Sequence, residues 1–294
     1  MVDAVIARIR GVYGGWRRHT PIEQMRADWD RFLWSEAQPA DWQDVIVGGV
    51  SARWITAPGA NARRSLIWFH GGGYKMGSVV SHHELMARIS AAAGCRVLGV
   101  NYRLMPEHRF PAPVEDALTV YRALLETGQQ PAQLAMGGDS AGGGLVAAAM
   151  IMLRDDGIDL PASGVLLSAL TDFATTGASY ETRAAVDPIH QRALIQALAR
   201  DYLAGADARD PRASPLHGGL HGLPPLLLQV GDRETGLDDS VAFAARARGH
   251  GVDVALEVWD GMIHVFQQFP AELPEARAAI ARIGNFLASR WSLR

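Results

Sequence analysis

The sequence has one cysteine, Cys95, and one lysine, Lys75, among 294 residues. A single thiol rules out an intramolecular disulfide framework, and a chain this long buries enough surface to need none. There is no excess of one charge: 28 basic residues, all but Lys75 arginine, face 31 acidic ones, a net of −3. That balance argues against a nucleic-acid surface, which shows as surplus Lys and Arg. Long apolar runs are missing too. The stretch 145–153 ends at Arg154-Asp155-Asp156, far short of the ~18–20 residues of a membrane span. Asp3, Arg8 and Arg10 interrupt the start of the chain, so no leader-type apolar segment is read there and a cytoplasmic protein is the expectation. His217 and His221 have i, i+4 spacing, but Gly218-Gly219 lies between them and breaks a helix. No metal site is therefore expected.

What is present is alternation. Strand-like runs at 65–69, 96–102, 133–136, 164–170, 225–230 and 252–259 are separated by helical patterns at 83–93, 113–126, 141–154, 240–248 and 271–291. Such alternation predicts an α/β fold with a mostly parallel sheet and helices on both faces. Segments 44–47 and 52–57, joined at Gly48-Gly49, predict an antiparallel edge. Two stretches fall outside the alternation: the Trp-rich 1–45 and the Pro/Gly-rich 172–222. They are expected to form a helical cap over the carboxyl ends of the strands, where ligands bind in such sheets. The expected core is then 46–171 with 223–294.

The sharpest local signal is Gly138-Asp139-Ser140-Ala141-Gly142, between a predicted strand and a predicted helix. In that context G-x-S-x-G is a nucleophile elbow. Small neighbours let the chain turn tightly, and the helix N-terminus favours negative charge developing beside the hydroxyl. His70-Gly71-Gly72-Gly73 follows an earlier strand, where glycines free backbone N–H groups to turn inward. A serine nucleophile also needs a base. His264 follows the last predicted strand, in the chain order Ser…acid…His. The other histidines are expected on the surface or in loops. Asp232, Glu234, Asp238 and Asp239 are all candidates for the acid. N-capping of the next helix is the simpler role for Asp239.

Taken together, these motifs resemble the hormone-sensitive-lipase-like branch of the α/β-hydrolases, the bacterial family IV carboxylesterases. The resemblance rests on HGGG and GDSAG, on Tyr102-Arg103-Leu104-Met105-Pro106-Glu107 through Phe110-Pro111-Ala112 to Glu115-Asp116, on Ser214-Pro215-Leu216, and on the His264 loop. It covers roughly 65–291 and is weakest at the N-terminus. It implies an α/β-hydrolase fold with a helical cap, and a cofactor-free serine hydrolase acting on short- to medium-chain esters through an acyl-enzyme. It also places the acid thirty positions before the histidine. That selects Glu234, where many members carry Asp; Asp232 is the runner-up. Oxyanion donors would be the N–H groups of Gly72, Gly73 and Ala141. Copies would pair through an edge strand and the last helix, here 252–259 and 271–291. Met105 departs from the commoner alanine, and Lys75, after the oxyanion loop, has two readings, contact with a substrate or reach into solvent, of which solvent is favoured.

Other readings are an amide, lactone or acetylated-small-molecule hydrolase on the same residues, or a non-catalytic binding protein of this fold. A nucleotide site is not supported. No G-x-x-x-x-G-K-[ST] occurs, and Gly142-Gly143-Gly144 begins inside the predicted helix. Those glycines are read as close helix packing.

Overall fold

A computed structural model describes residues 1–292. Two helices come first, α1 (Val2–Gly15) and α2 (Ile22–Leu33). The sheet is then entered through β1 (Asp41–Val47), β2 (Val50–Thr56) and β3 (Asn61–Phe69). Next come α3 (His83–Ala93), β4 (Cys95–Val100), α4 (Ala112–Glu126), β5 (Leu134–Asp139), α5 (Ala141–Asp155) and β6 (Ser163–Leu167). After β6 lie α6 (Ser179–Thr182) and α7 (Arg192–Leu203). The chain closes with β7 (Leu226–Gly231), α8 (Leu237–Gly249), β8 (Val254–Trp259) and α9 (Pro274–Ser292).

The eight strands form one sheet in the order β1-β2-β4-β3-β5-β6-β7-β8. The pairs β1–β2 and β2–β4 are antiparallel, and every later pair is parallel. Every residue of β5, β6 and β7 is buried, as expected for central strands covered on both faces. One core layer joins residues of α4, α5 and α8 to the sheet, and the other is built from α3 and α9. Helix α5 is apolar around its circumference and almost wholly buried, the mark of an interior helix. Cys95 opens β4 fully buried, and burial pushes its thiol up to about 12, so it is a packing residue. The 96–102 expectation ran two residues too far: β4 ends at Val100, and Asn101 and Tyr102 form the following loop.

Helices α1 and α2 contribute to a third apolar cluster. There Val5, Ile9 and Leu33 meet Met262, Ile263, Phe266 and Phe269 of the loop after β8. The start of the chain is thereby packed onto both sides of His264. No helix among the described residues is long and apolar enough to cross a membrane.

Candidate active site

Strand β5 ends at Asp139 and α5 begins at Ala141, so Ser140 makes the turn alone, with φ 52° and ψ −120°. An L-residue held there stores about 1–3 kcal/mol. Its surroundings hold it in place: the Ser140 N–H donates to the Leu167 carbonyl at 2.8 Å, and its own carbonyl accepts from Leu170 N–H at 3.0 Å. The elbow also needs glycine at 142. A Cβ there would lie 1.9 Å from the Phe69 carbonyl oxygen. This is the close packing of α5 on the end of β3 that the glycine run suggests.

The HGGG turn follows β3. Gly72 has φ +111°, and a Cβ on it would meet the Met76 carbonyl oxygen at 2.1 Å. Among the described residues, the N–H groups of Gly72, Gly73 and Ala141 have no hydrogen-bond partner. Ala141 is the first residue of α5, so its N–H is one that the helix itself leaves unused. The Gly71 N–H is engaged, donating to Asp139 Oδ2 at 3.0 Å. The other Asp139 oxygen accepts from Trp68 Nε1 at 3.2 Å, and His82 Nε2 lies 3.1 Å from Oδ2. The residue before Ser140 thus ties the glycine turn to the elbow.

His264 sits on the loop after β8 with Nδ1 2.8 Å from Glu234 Oε2. Glu234 is 1% exposed. Its Oε1 accepts from Ser168 Oγ at 2.7 Å and from the Gly231 N–H. Ser168 Oγ in turn accepts from Val265 N–H at 3.1 Å. That contact helps hold Val265 in a left-handed conformation, φ 48°, which a β-branched residue rarely adopts. A carboxylate on Nδ1 keeps the proton there and leaves Nε2 free as a base. Burial alone lowers the basicity of His264. The charge and hydrogen bond of Glu234, then the charges of Asp187 and Asp139, outweigh it and raise the imidazole above its ordinary value. Asp232 is turned elsewhere: its Oδ1 accepts the Gly261 N–H at 2.7 Å.

Ser140 and His264 line one cavity of about 290 Å³, the lower end of the ~300–1,000 Å³ range of small-molecule clefts. Its walls come from Gly71–Gly73, from Ile9, Tyr13, Trp16, Met25, Trp29 and Leu33 of the N-terminal segment, and from Tyr180, His190, Leu194, Ile195 and Leu198 of the 172–222 stretch.

The structure corrects several expectations about single residues. His82 and His83 are buried, at 2% and 1% exposure. His190 lies in a loop as expected and packs its ring 3.8 Å from that of His264; burial, then the His264 charge, pull its basicity down to about 3, so it is a neutral neighbour. Lys75 is half-buried and is among the residues that line the cavity. Asp239 does not cap α8, whose N-cap is Gly236. Its Oδ2 accepts from the N–H groups of Thr171 and Asp172, both at 3.2 Å, and from Tyr180 Oη at 3.3 Å. Asp187 was not singled out by the sequence, yet its Oδ2 accepts the Thr235 N–H at 2.7 Å, next to Glu234.

Asp239 carries a stability prediction. Burial first, then the charge of Asp172, hold its carboxyl well above the usual range, against the opposing hydrogen bonds. A folded carboxyl raised in this way adds stability below its unfolded value near 3.9 and loses it as pH rises through the folded one. The Asp239→Asn variant cannot ionise. Thermal melts taken from about pH 5 to about pH 8 should therefore show the wild type falling progressively behind the variant. Parallel curves would show that the Asp239 charge is not a burden on the fold.

The α/β-hydrolase-fold family profile matches residues 66–268. The chain is 46% identical over 243 residues to an acetyl-hydrolase of Streptomyces hygroscopicus, covering 83% of this chain and 81% of that protein. An esterase of Acinetobacter venetianus is 35% identical with the same coverage. Among solved structures, an esterase of the bacterial hormone-sensitive lipase family superposes with TM-score 0.94 at 46% identity, over 99% of this chain and 98% of that one. The chain belongs to the hormone-sensitive-lipase-like α/β-hydrolases. A double mutant of the esterase E40 superposes with TM-score 0.95 at 47% identity, over 98% of this chain and 97% of that one. In this family the match therefore takes in the N-terminal helices, which the profile does not reach.

Proposed function

We propose that this α/β-hydrolase cleaves carboxylic esters through an acyl-enzyme on Ser140. The observation that carries the reading is the Glu234–His264 hydrogen bond of 2.8 Å beside a cavity that His264 shares with the strained Ser140. His264 Nε2 takes the Ser140 proton as Oγ attacks the ester carbonyl. Glu234 fixes the tautomer and stabilises the imidazolium. The N–H groups of Gly72, Gly73 and Ala141 receive the oxyanion, each such donor lowering the barrier by about 2.7–4 kcal/mol. His264 then protonates the leaving alcohol and activates the water that releases the acid. None of these steps calls for a cofactor or a metal.

The relatives named as esterases and acetyl-hydrolase support ester cleavage over the amide, lactone and non-catalytic readings. We assign 1–45 and 172–222 to a cap because both supply cavity walls. The size of the cavity favours short- to medium-chain acyl groups, which an acyl-length series of chromogenic esters would rank. A second copy would pair along β8, which has a strand neighbour on one side only and exposes Val258. Sedimentation reads that directly.

The mechanism is tested by labelling with a fluorophosphonate. We expect one adduct per chain, mapped to the peptide that contains Ser140, with activity lost in step. Labelling of another residue, or inactivation without an adduct, overturns the assignment.

A further inference from the structure

Substrate clefts are mostly apolar, and the few polar groups left without protein partners decide what is held. Most polar groups lining this cavity are already engaged. Asp139 and His82 face each other, Trp16 Nε1 donates to Asp28, and Tyr180 Oη donates to Asp239. Besides the main-chain N–H groups of Gly72 and Gly73, three side-chain donors remain: Gln268 Nε2, buried without a partner, and two more. Trp29 Nε1 is buried without an acceptor. The Lys75 ammonium has no hydrogen bond or ion pair among the described residues, while its main-chain N–H and carbonyl are bonded to Gly72 and Arg26.

Lys75 is the only residue of permanent positive charge in the cavity wall, and no arginine joins it there. The carboxylates of its own region are taken. Glu107 receives two hydrogen bonds from Arg26, the same guanidinium that holds the Lys75 carbonyl. Asp30 accepts from Ser78 Oγ. Asp28 accepts from Trp16, Gln24 and Arg31. The two carboxyls in the cavity wall, Asp139 and Asp239, are 2% and 1% exposed and bonded inward. A cation in a cavity wall without a counter-charge can pair an anionic group that a ligand brings. Here it stands two positions past Gly73, beside the turn that receives the reacting carbonyl.

We infer that this enzyme is built for esters that also carry a free carboxylate, with Lys75 pairing that carboxylate while Ser140 attacks the ester carbonyl. The inference rests on the ester-hydrolase reading. It predicts discrimination between substrates of equal size that differ only in charge.

Two isosteric pairs test it by acid release at constant pH. Monoethyl glutarate against ethyl 5-methylhexanoate places the charge on the acyl side. 4-Acetoxybenzoate against 4-isopropylphenyl acetate places it on the alcohol side. The wild type should favour the anionic member of at least one pair. In Lys75→Met that preference should fall by about 10- to 100-fold, the size of a hydrogen bond to a charged group. The loss should lie in KM for the anionic esters. Lys75→Arg should keep the preference, and added salt should weaken it in the wild type. A wild type indifferent to charge in both pairs overturns the inference, as does a preference that survives in Lys75→Met. Failure of the wild type on all four esters overturns the ester reading and this inference with it.

Discussion

Ser140→Ala should lower kcat on a butyrate ester by about 10⁶-fold, the scale on which losing a serine nucleophile acts, and leave the fold intact. The physical basis is narrow. The change removes one oxygen from a side chain whose backbone is held by the Leu167 and Leu170 main-chain bonds, and alanine inherits the same φ of 52° at no new steric cost. Melting temperature should therefore stay near that of the wild type. What disappears is the atom that attacks the carbonyl in the proposed mechanism. The N–H groups of Gly72, Gly73 and Ala141 remain, so a residual acceleration over water of about 10³–10⁴ is the floor to expect. Fluorophosphonate labelling vanishes with the hydroxyl. A variant that keeps a tenth of wild-type turnover would mean that another group is acylated, or that water attacks directly, and would remove Ser140 from the chemistry.

The parts of the fold and site that could be read in the sequence are those set by short-range constraint. Glycine at 72 and 142 is imposed by carbonyl oxygens that would lie about 2 Å from any Cβ there, so the motif and the geometry are one fact. The strand and helix alternation was readable because all-buried strands such as β5 and β6 are apolar runs bounded by turns. Contacts across long sequence distances were not legible. His82 meets Asp139 over 57 positions, Asp187 meets Thr235 over 48, and Ser168 meets Glu234 over 66. A histidine in a buried bond and one on the surface look alike as letters. Asp239 misled for the opposite reason. Its place near a helix start offered a local role, and tertiary donors from Thr171 and Asp172 took it instead. Lys75 was read as a solvent residue because a lysine's stem carries it either way. The structure puts the residue in the cavity wall, with its carbonyl held by Arg26 of α2.

Glu234→Gln carries the second large effect, and it separates the two acids that the sequence left as alternatives. Glu234 accepts three donors at once: His264 Nδ1–H, Ser168 Oγ–H and the Gly231 N–H. An amide has one accepting oxygen and one donating nitrogen. If its NH₂ faces His264, Nδ1 becomes an acceptor, the proton moves to Nε2, and the base is blocked. If the NH₂ faces Ser168 and Gly231, it meets donors and the loop is disturbed. Either way kcat should fall by about 10⁴-fold, as when a triad carboxylate becomes an amide. The pH profile supplies an independent reading. In the wild type the acid limb of kcat/KM should lie above the ordinary histidine value near 6.5, because Glu234 and more distant carboxylates outweigh burial. Without the Glu234 charge, burial prevails, and the limb of the residual activity moves to lower pH. Asp232→Asn should do neither. Asparagine keeps the oxygen that accepts the Gly261 N–H, so activity should stay within about threefold and the limb in place, as for a surface-loop exchange of that size. Equal losses in the two variants, or a limb that fails to move in Glu234→Gln, would take the orienting role from Glu234. Glu234→Asp should recover part of the rate by restoring the charge while shortening the reach to His264. That recovery would identify the carboxylate itself, and not the volume of the side chain, as what His264 requires.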